Sequence, residues 1–175
     1  MTDWVSSALA PLHDLTDFDC GVHEFNDWLR GHAVNAIARG TARTYVWTPL
    51  GNDRVVAYYS VVPHLVARTE LTTSFAGGLG AAVPGYLLAK LALDQTLHGR
   101  GLGAELLRDA MKTVVFAADV ASGRLLMVDA IDDHAAAFYR KHEFRPTAGN
   151  PLRLVVKIAT LRKALGLQVH AATGL

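Results

Sequence analysis

The chain has 175 residues, 51% of them hydrophobic, and a formal net charge of +1. That length suits a single domain over residues 1–175 with a core of its own, and no apolar run reaches the roughly 20 residues of a membrane-spanning helix. The one cysteine, Cys20, rules out an internal disulfide and a cysteine-built zinc site, and no metal site is expected.

The opening MTDWVSSALAPLHDLTDFD is acidic and broken by proline, which is not the pattern of a signal peptide, so a cytoplasmic location is the expectation. Charge is uneven along the chain. Residues 1–90 hold six Lys/Arg and eight Asp/Glu, whereas residues 91–175 hold eleven and eight. Between Trp28 and Asn52 there is no carboxylate, and Arg30, Arg39 and Arg43 all fall there. A solvated helix face explains such a segment as simply as a binding surface does.

Leu12 to Gly21 reads as a loop rich in aspartates. Apolar residues at Val22, Phe25, Trp28, Leu29, Ala33, Ala36 and Ile37 have helical spacing, broken near Gly31 and stopped at Gly40. Thr41–Trp47 and Arg54–His64 are β-rich and flank the turn PLGND, which predicts an antiparallel hairpin. Leu65–Val83, with its flexible AGGLGAA stretch, reads mostly as loop. Residues 86–93 read as a buried strand, and a helix follows from about Gly101 to Asp119. Arg124–Ala130 is another buried strand. Asp132 or Asp133 caps a helix ending near His142, with Ala135, Phe138 and Tyr139 on its apolar side. Phe144–Thr147 and Leu152–Ile158 are the last strands, and Thr160–Leu165 is a short closing helix. The order predicts an α/β fold, a mixed sheet with helices on both faces.

Between the strand at 86–93 and its helix lies His98-Gly99-Arg100-Gly101-Leu102-Gly103. A strand that delivers a glycine-rich turn to a helix N-terminus is an anion trap, because the first-turn N–H groups lack intrahelical acceptors. The same residues satisfy G-x-G-x-x-A at Gly99, Gly101 and Ala104. A dinucleotide site is disfavoured, since Gln95 to His98 intervene after the strand and the motif arrives past the midpoint. No Gly-Lys-Ser/Thr follows, so the turn is not a Walker loop.

Taken together, LALD at 91–94, HGRGLGA at 98–104, LLMVDA at 125–130 and FYRKHEF at 138–144 resemble the GNAT superfamily of acetyl-CoA-dependent N-acetyltransferases. FDCG at 18–21, FNDWL at 25–29, TARTYV at 41–46 and VVAYYS at 55–60 extend the likeness, over residues 10–158, to the TacT-like toxins of bacterial toxin–antitoxin modules. Two positions depart from the pattern. His98 stands where the family carries Gln or Arg, and Glu143 where it carries glycine before the last Phe.

The resemblance implies a mostly antiparallel sheet with one splayed parallel pair, at 86–93 and 124–130. It implies an enzyme that acetylates the α-amino group of aminoacyl-tRNA, with acetyl-CoA as cosubstrate. Backbone groups at Leu91 and Leu93 would pair with pantetheine amides. His98, Gly99, Arg100, Gly101, Gly103 and Ala104 would hold the pyrophosphate. Tyr139 would be the general acid that protonates the leaving thiolate, a transfer only slightly uphill for a phenol of pKa about 10 and a thiol of about 8.5. Arg30, Arg39 and Arg43 would face the tRNA. No strong general base is visible; Asp94 and His64 are the candidates, and a neutral acceptor amine would also serve. A ribbon-helix-helix antitoxin and a homodimer are implied partners. An enzyme for small amines or protein N-termini, and a non-catalytic acyl-CoA-binding module, are the alternative readings.

Overall fold

A computed structural model describes residues 3–76 and 80–168. Thirteen helices and strands are labelled here: β1 (Trp4–Ala8), α1 (His23–Gly31), α2 (Ala33–Arg39), β2 (Arg43–Pro49), β3 (Ala57–Ala67), α3 (Thr73–Ala76), β4 (Ala82–Leu93), α4 (Leu102–Ala121), β5 (Leu125–Asp129), α5 (Asp133–Arg140), β6 (Arg145–Thr147), β7 (Asn150–Lys157) and α6 (Ile158–Ala164). The seven strands run in the order β1-β2-β3-β4-β5-β7-β6, which gives the mixed α/β fold expected. Two compact units divide the chain, one of Met1–Val62 with Leu88–Ala110 and the other of Pro63–Leu87 with Met111–Leu175.

In the first unit, β2 and β3 form the expected antiparallel hairpin, with Arg43 opposite Val61 and Trp47 opposite Ala57. β1 was not expected. It is a five-residue edge strand on β2, with Trp4 opposite Pro49 and Ala8 opposite Tyr45. Its WVSSA carries little β-branched material, so pairing with β2 makes the strand rather than its own propensity. The helical stretch breaks as expected into α1 and α2, and Gly40 ends it at φ 70°, donating to the carbonyls of Ala36 and Ile37. The helices cover a core of Leu9, Phe18, Leu29, Ala33, Val46, Val55, Tyr58 and Ala92.

In the second unit, β5 and β6 both pair antiparallel with β7. The start of β4 lies on the start of β5: the Arg124 N–H donates to the Pro84 carbonyl over 2.8 Å, and the Leu125 carbonyl packs on Gly85. Successive residues of the two strands meet in the same direction, the parallel sense expected at 86–93 and 124–130. β4 nevertheless begins four residues earlier than its apolar run, with Pro84 and Gly85 laid against Arg124 and Leu125. α3 and the tail of β3 occupy part of what reads as loop, and positions 77–79 of the AGGLGAA stretch lie outside the described residues. Val66, Leu71, Val83, Leu125, Met127 and Val155 make this unit's core. No helix among the described residues is long and apolar enough to cross a membrane.

Candidate active site

The first unit carries the anion trap. β4 ends with Ala92 in the core and Leu91 and Leu93 half-buried on either side of it. Asp94 then turns the chain. Its Oδ1 accepts the backbone N–H of Thr96 at 3.0 Å and the Thr96 hydroxyl at 2.7 Å, and its Oδ2 accepts the Asp19 N–H at 3.1 Å. A single 3-10 turn, Gln95–Leu97, follows, and Leu97 plugs the core. These four residues, which set the motif apart from a dinucleotide fingerprint, are therefore a rigid spacer.

Gly99 and Gly101 sit at φ +75° and +74°, a backbone region in which a side chain is strained, although nothing crowds the space a Cβ would take. The glycines are required by conformation and not by close packing. Among the described residues, the N–H groups of Gly99, Arg100 and Gly101 donate to no protein group. Those of Leu102 and Gly103 open the first turn of α4, where no intrahelical acceptor exists. Ala104 differs, because its N–H already donates to the Gly101 carbonyl over 3.3 Å. Arg100 is exposed beside this row of donors. His98 is tied back: its Nε2 lies 2.7 Å from the Leu93 carbonyl oxygen, which can only accept, so that nitrogen carries the proton.

The FDCG segment braces the trap from behind. Asp19 Oδ1 accepts the Gly21 N–H and the Asn26 side-chain amide, both at 2.9 Å, while Asn26 Oδ1 accepts the Cys20 N–H at 2.9 Å. The Gln95 N–H closes the knot onto the Asp19 carbonyl at 2.8 Å. Hydrogen bonds from Gly21, Asn26 and Gln95 hold the Asp19 carboxyl below its ordinary value. Asn26, buried on α1, escaped sequence reading because a helical Asn carries no signal until its partners are known. Cys20 is buried in the same knot, and burial pushes its thiol up, away from nucleophile chemistry.

Of the three arginines, Arg39 and Arg43 are exposed. Arg30 is partly committed: Nη1 donates to the Phe18 carbonyl over 2.7 Å, and Nη2 lies 4.0 Å from Asp27. Sequence spacing could not separate this clamp from the two exposed cations. It also missed Lys90, whose ammonium lies over the Phe25 and Trp28 rings of α1.

The second unit carries Tyr139. Asp132 caps α5 through the Ala135 N–H at 2.7 Å, as expected. Tyr139 lies in the last turn, its ring buried edge-on between Phe138 and Phe144 at centroid distances of 5.2 and 5.4 Å. Among the described residues its hydroxyl has no hydrogen-bond partner. Burial raises the phenol well above its ordinary value. The group is thus always protonated at physiological pH, but giving the proton up is more uphill than for a solvated phenol.

Of the two base candidates, Asp94 is already committed. Asp94 is 2% exposed and its carboxylate is spent on backbone and Thr96. Burial pushes its carboxyl up, but the Thr96 and Asp19 hydrogen bonds and the Arg54 charge outweigh this and hold it below the usual value. His64 lines a cavity of about 530 Å³ with Pro63, Leu65, Pro84, Gly85 and Tyr86, at the start of β4 and not at its end.

Comparison with known proteins agrees with this architecture. No family model matches the chain. It is 35% identical over 153 residues to the tRNA-acetylating toxin of Mycobacterium tuberculosis, covering 87% of this chain and 91% of that protein. AtaT complexed with acetyl-methionyl-tRNAfMet superposes with a TM-score of 0.85 at 27% identity, over 93% of this chain and 99% of that one. A mutant AtaT toxin bound to the C-terminus of the antitoxin AtaR and to acetyl-CoA gives 0.80 at 26% identity, over 93% and 98%. The chain therefore belongs to the tRNA-acetylating toxins, N-acetyltransferases of toxin–antitoxin modules.

Proposed function

We propose that this chain transfers the acetyl group of acetyl-CoA to the α-amino group of an amino acid charged on tRNA, and so withdraws that tRNA from translation. The observation that carries the reading is the row of N–H groups from Gly99 to Gly103, unpaired among the described residues and placed at the end of β4 and the start of a 20-residue helix. Such a row suits the pyrophosphate of acetyl-CoA, with Arg100 adding a charge-assisted contact. Backbone groups of Leu91 and Leu93 pair with the pantetheine amides; the Leu93 carbonyl keeps one lone pair for this, since His98 takes the other. His98 thus acts on the cosubstrate by fixing the turn. When bound, acetyl-CoA supplies an activated acyl group, its C–S bond breaking as the C–N bond forms.

Tyr139 gives its proton to the departing thiolate, the acceptor nitrogen releases one to water, and the Tyr139 phenolate takes one back from water. An α-amino group titrates near 8, and esterification of its carboxylate lowers that further, so the acceptor is largely neutral without a protein base. Arg39 and Arg43 meet tRNA phosphates. A cytoplasmic location follows from that acceptor. The resemblance supports a ribbon-helix-helix antitoxin and a homodimer as the assembly.

The test is transfer of label from acetyl-CoA to charged tRNA, deacylated tRNA, small amines and peptides. Label on charged tRNA alone is expected. Label on small amines or peptide N-termini with none on tRNA would sink this reading in favour of another acceptor. Binding of acetyl-CoA with no transfer would favour an acyl-CoA-binding module.

A further inference from the structure

Lys90 stands toward the end of β4, on the face that Leu88 and Ala92 bury to 1% and 5% exposure. A lysine between two core positions is unusual, because an ammonium is costly to take from water. Its Nζ lies 4.9 Å from the centroid of the Trp28 ring and 5.4 Å from that of Phe25. This aromatic floor is itself fixed: Trp28 stacks on Tyr58 at 6.1 Å, and the Tyr58 hydroxyl donates to the Phe25 carbonyl at 2.8 Å.

The ring faces favour a cation, yet no described residue uses the ammonium's donors. Among the described residues Lys90 makes no ion pair and its side chain donates to no oxygen. Glu24 of α1 acts on it as a more distant charge, while burial lowers its pKa. Tyr58 of β3, on which Trp28 stacks, is pushed far up by burial and stays neutral. A cation with three uncommitted N–H donors is thus held one residue from Leu91, on one face of the strand that the proposed function assigns to pantetheine. An acceptor that reaches the acyl group must approach this strand from one of its faces.

We propose that Lys90 binds the acceptor: its ammonium donates to an oxygen of the aminoacyl ester at the 3′ end of charged tRNA, above the floor made by Phe25 and Trp28, and its charge disfavours the protonated form of the acceptor amine. The inference rests on the aminoacyl-tRNA reading above. A neighbouring like charge makes the ammonium form of the acceptor harder to hold, so the fixed cation does by repulsion what a base does by taking the proton.

Lys90→Met keeps the stem on the two rings and removes the charge; Lys90→Arg keeps the charge. With the full chain, acetyl-CoA and bulk charged tRNA, kcat and KM are measured from pH 6 to 9, and acetyl-CoA affinity is measured by calorimetry. Lys90→Met should raise KM for charged tRNA about tenfold and move the acid limb of kcat up by about one pH unit, with acetyl-CoA affinity unchanged. Lys90→Arg should recover most of both. Wild-type KM and pH profile in Lys90→Met would show a stem that only packs, and would overturn the inference. So would a loss confined to acetyl-CoA affinity, which would place the effect in β4 itself. If the wild-type protein transfers nothing to charged tRNA, the aminoacyl-tRNA reading fails first and takes this inference with it; that outcome is distinct because it needs no variant.

Discussion

The His98 imidazole donates from Nε2 to the Leu93 carbonyl over 2.7 Å, clasping the two ends of the spacer between β4 and the glycine turn. A His where the family carries Gln or Arg is thus a brace inside the loop and not a lost phosphate contact. His98→Ala removes a hydrogen bond of about 1 kcal/mol, and acetyl-CoA should bind about fivefold more weakly in calorimetry. Unchanged affinity would mean that the turn holds its shape without the clasp.

Glu143, the second departure, has φ +75°. The bend after α5 needs a left-handed residue so that Phe144 can return to the core, where it is fully buried. A glycine there is relaxed, whereas Glu143 costs about 1 kcal/mol in conformation. Glu143→Gly should therefore stabilise the fold by about that amount in urea titration, with acetyl transfer unaffected. A destabilised variant would show that the Glu143 side chain does more than occupy the bend.

Asp94 is the most consequential buried charge of the first unit. Its carboxyl is held low in the folded chain, so the stability it confers is present above about pH 4 and is lost as pH falls through its folded value. Asp94→Asn places an amide N–H against the N–H of Asp19 or Thr96 and should cost about 2 kcal/mol at pH 7. The variant should also lose part of the wild-type stability drop below pH 4, which chemical denaturation at pH 3 to 7 would reveal. An identical pH dependence in both proteins would assign the acid sensitivity elsewhere.

How much of this was legible in the sequence follows the range of the interactions. α1 and α2, the β2–β3 hairpin, the Asp132 cap and the glycine turn are encoded by spacing and by residues with local conformational meaning, and each lies within a few residues of its expected place. β1 is not, because WVSSA becomes a strand only through β2. The start of β4 at Ala82 is set by its contact with Arg124 and Leu125, some forty positions away. In the site, the glycines and Tyr139 carry local signals. Arg30 as a clamp, His98 as a clasp, Asp19–Asn26–Asp94 as a knot and Lys90 over its rings are all partnerships across the chain, which residue types alone do not disclose.

The arginines should separate accordingly. Arg39→Ala and Arg43→Ala should each weaken binding to charged and uncharged tRNA alike and lower the slope of log affinity against log salt by about one. Arg30→Ala should instead lower thermal stability, since it frees the Phe18 carbonyl. An unchanged salt slope in the Arg39→Ala, Arg43→Ala double variant would move the tRNA surface elsewhere.

The central claim is that acetyl reaches the α-amino group of a tRNA-borne amino acid with Tyr139 as proton donor. The most direct measurement is mass spectrometry of charged tRNA digested to 3′-terminal aminoacyl-adenosine after incubation with acetyl-CoA and either the wild-type chain or Tyr139→Phe. The expected result is N-acetyl-aminoacyl-adenosine with the wild type, and at least a hundredfold less with Tyr139→Phe at unchanged acetyl-CoA affinity, as for loss of a general acid. Acetyl found on a nucleobase or on no fragment, or equal product from Tyr139→Phe, would contradict the account.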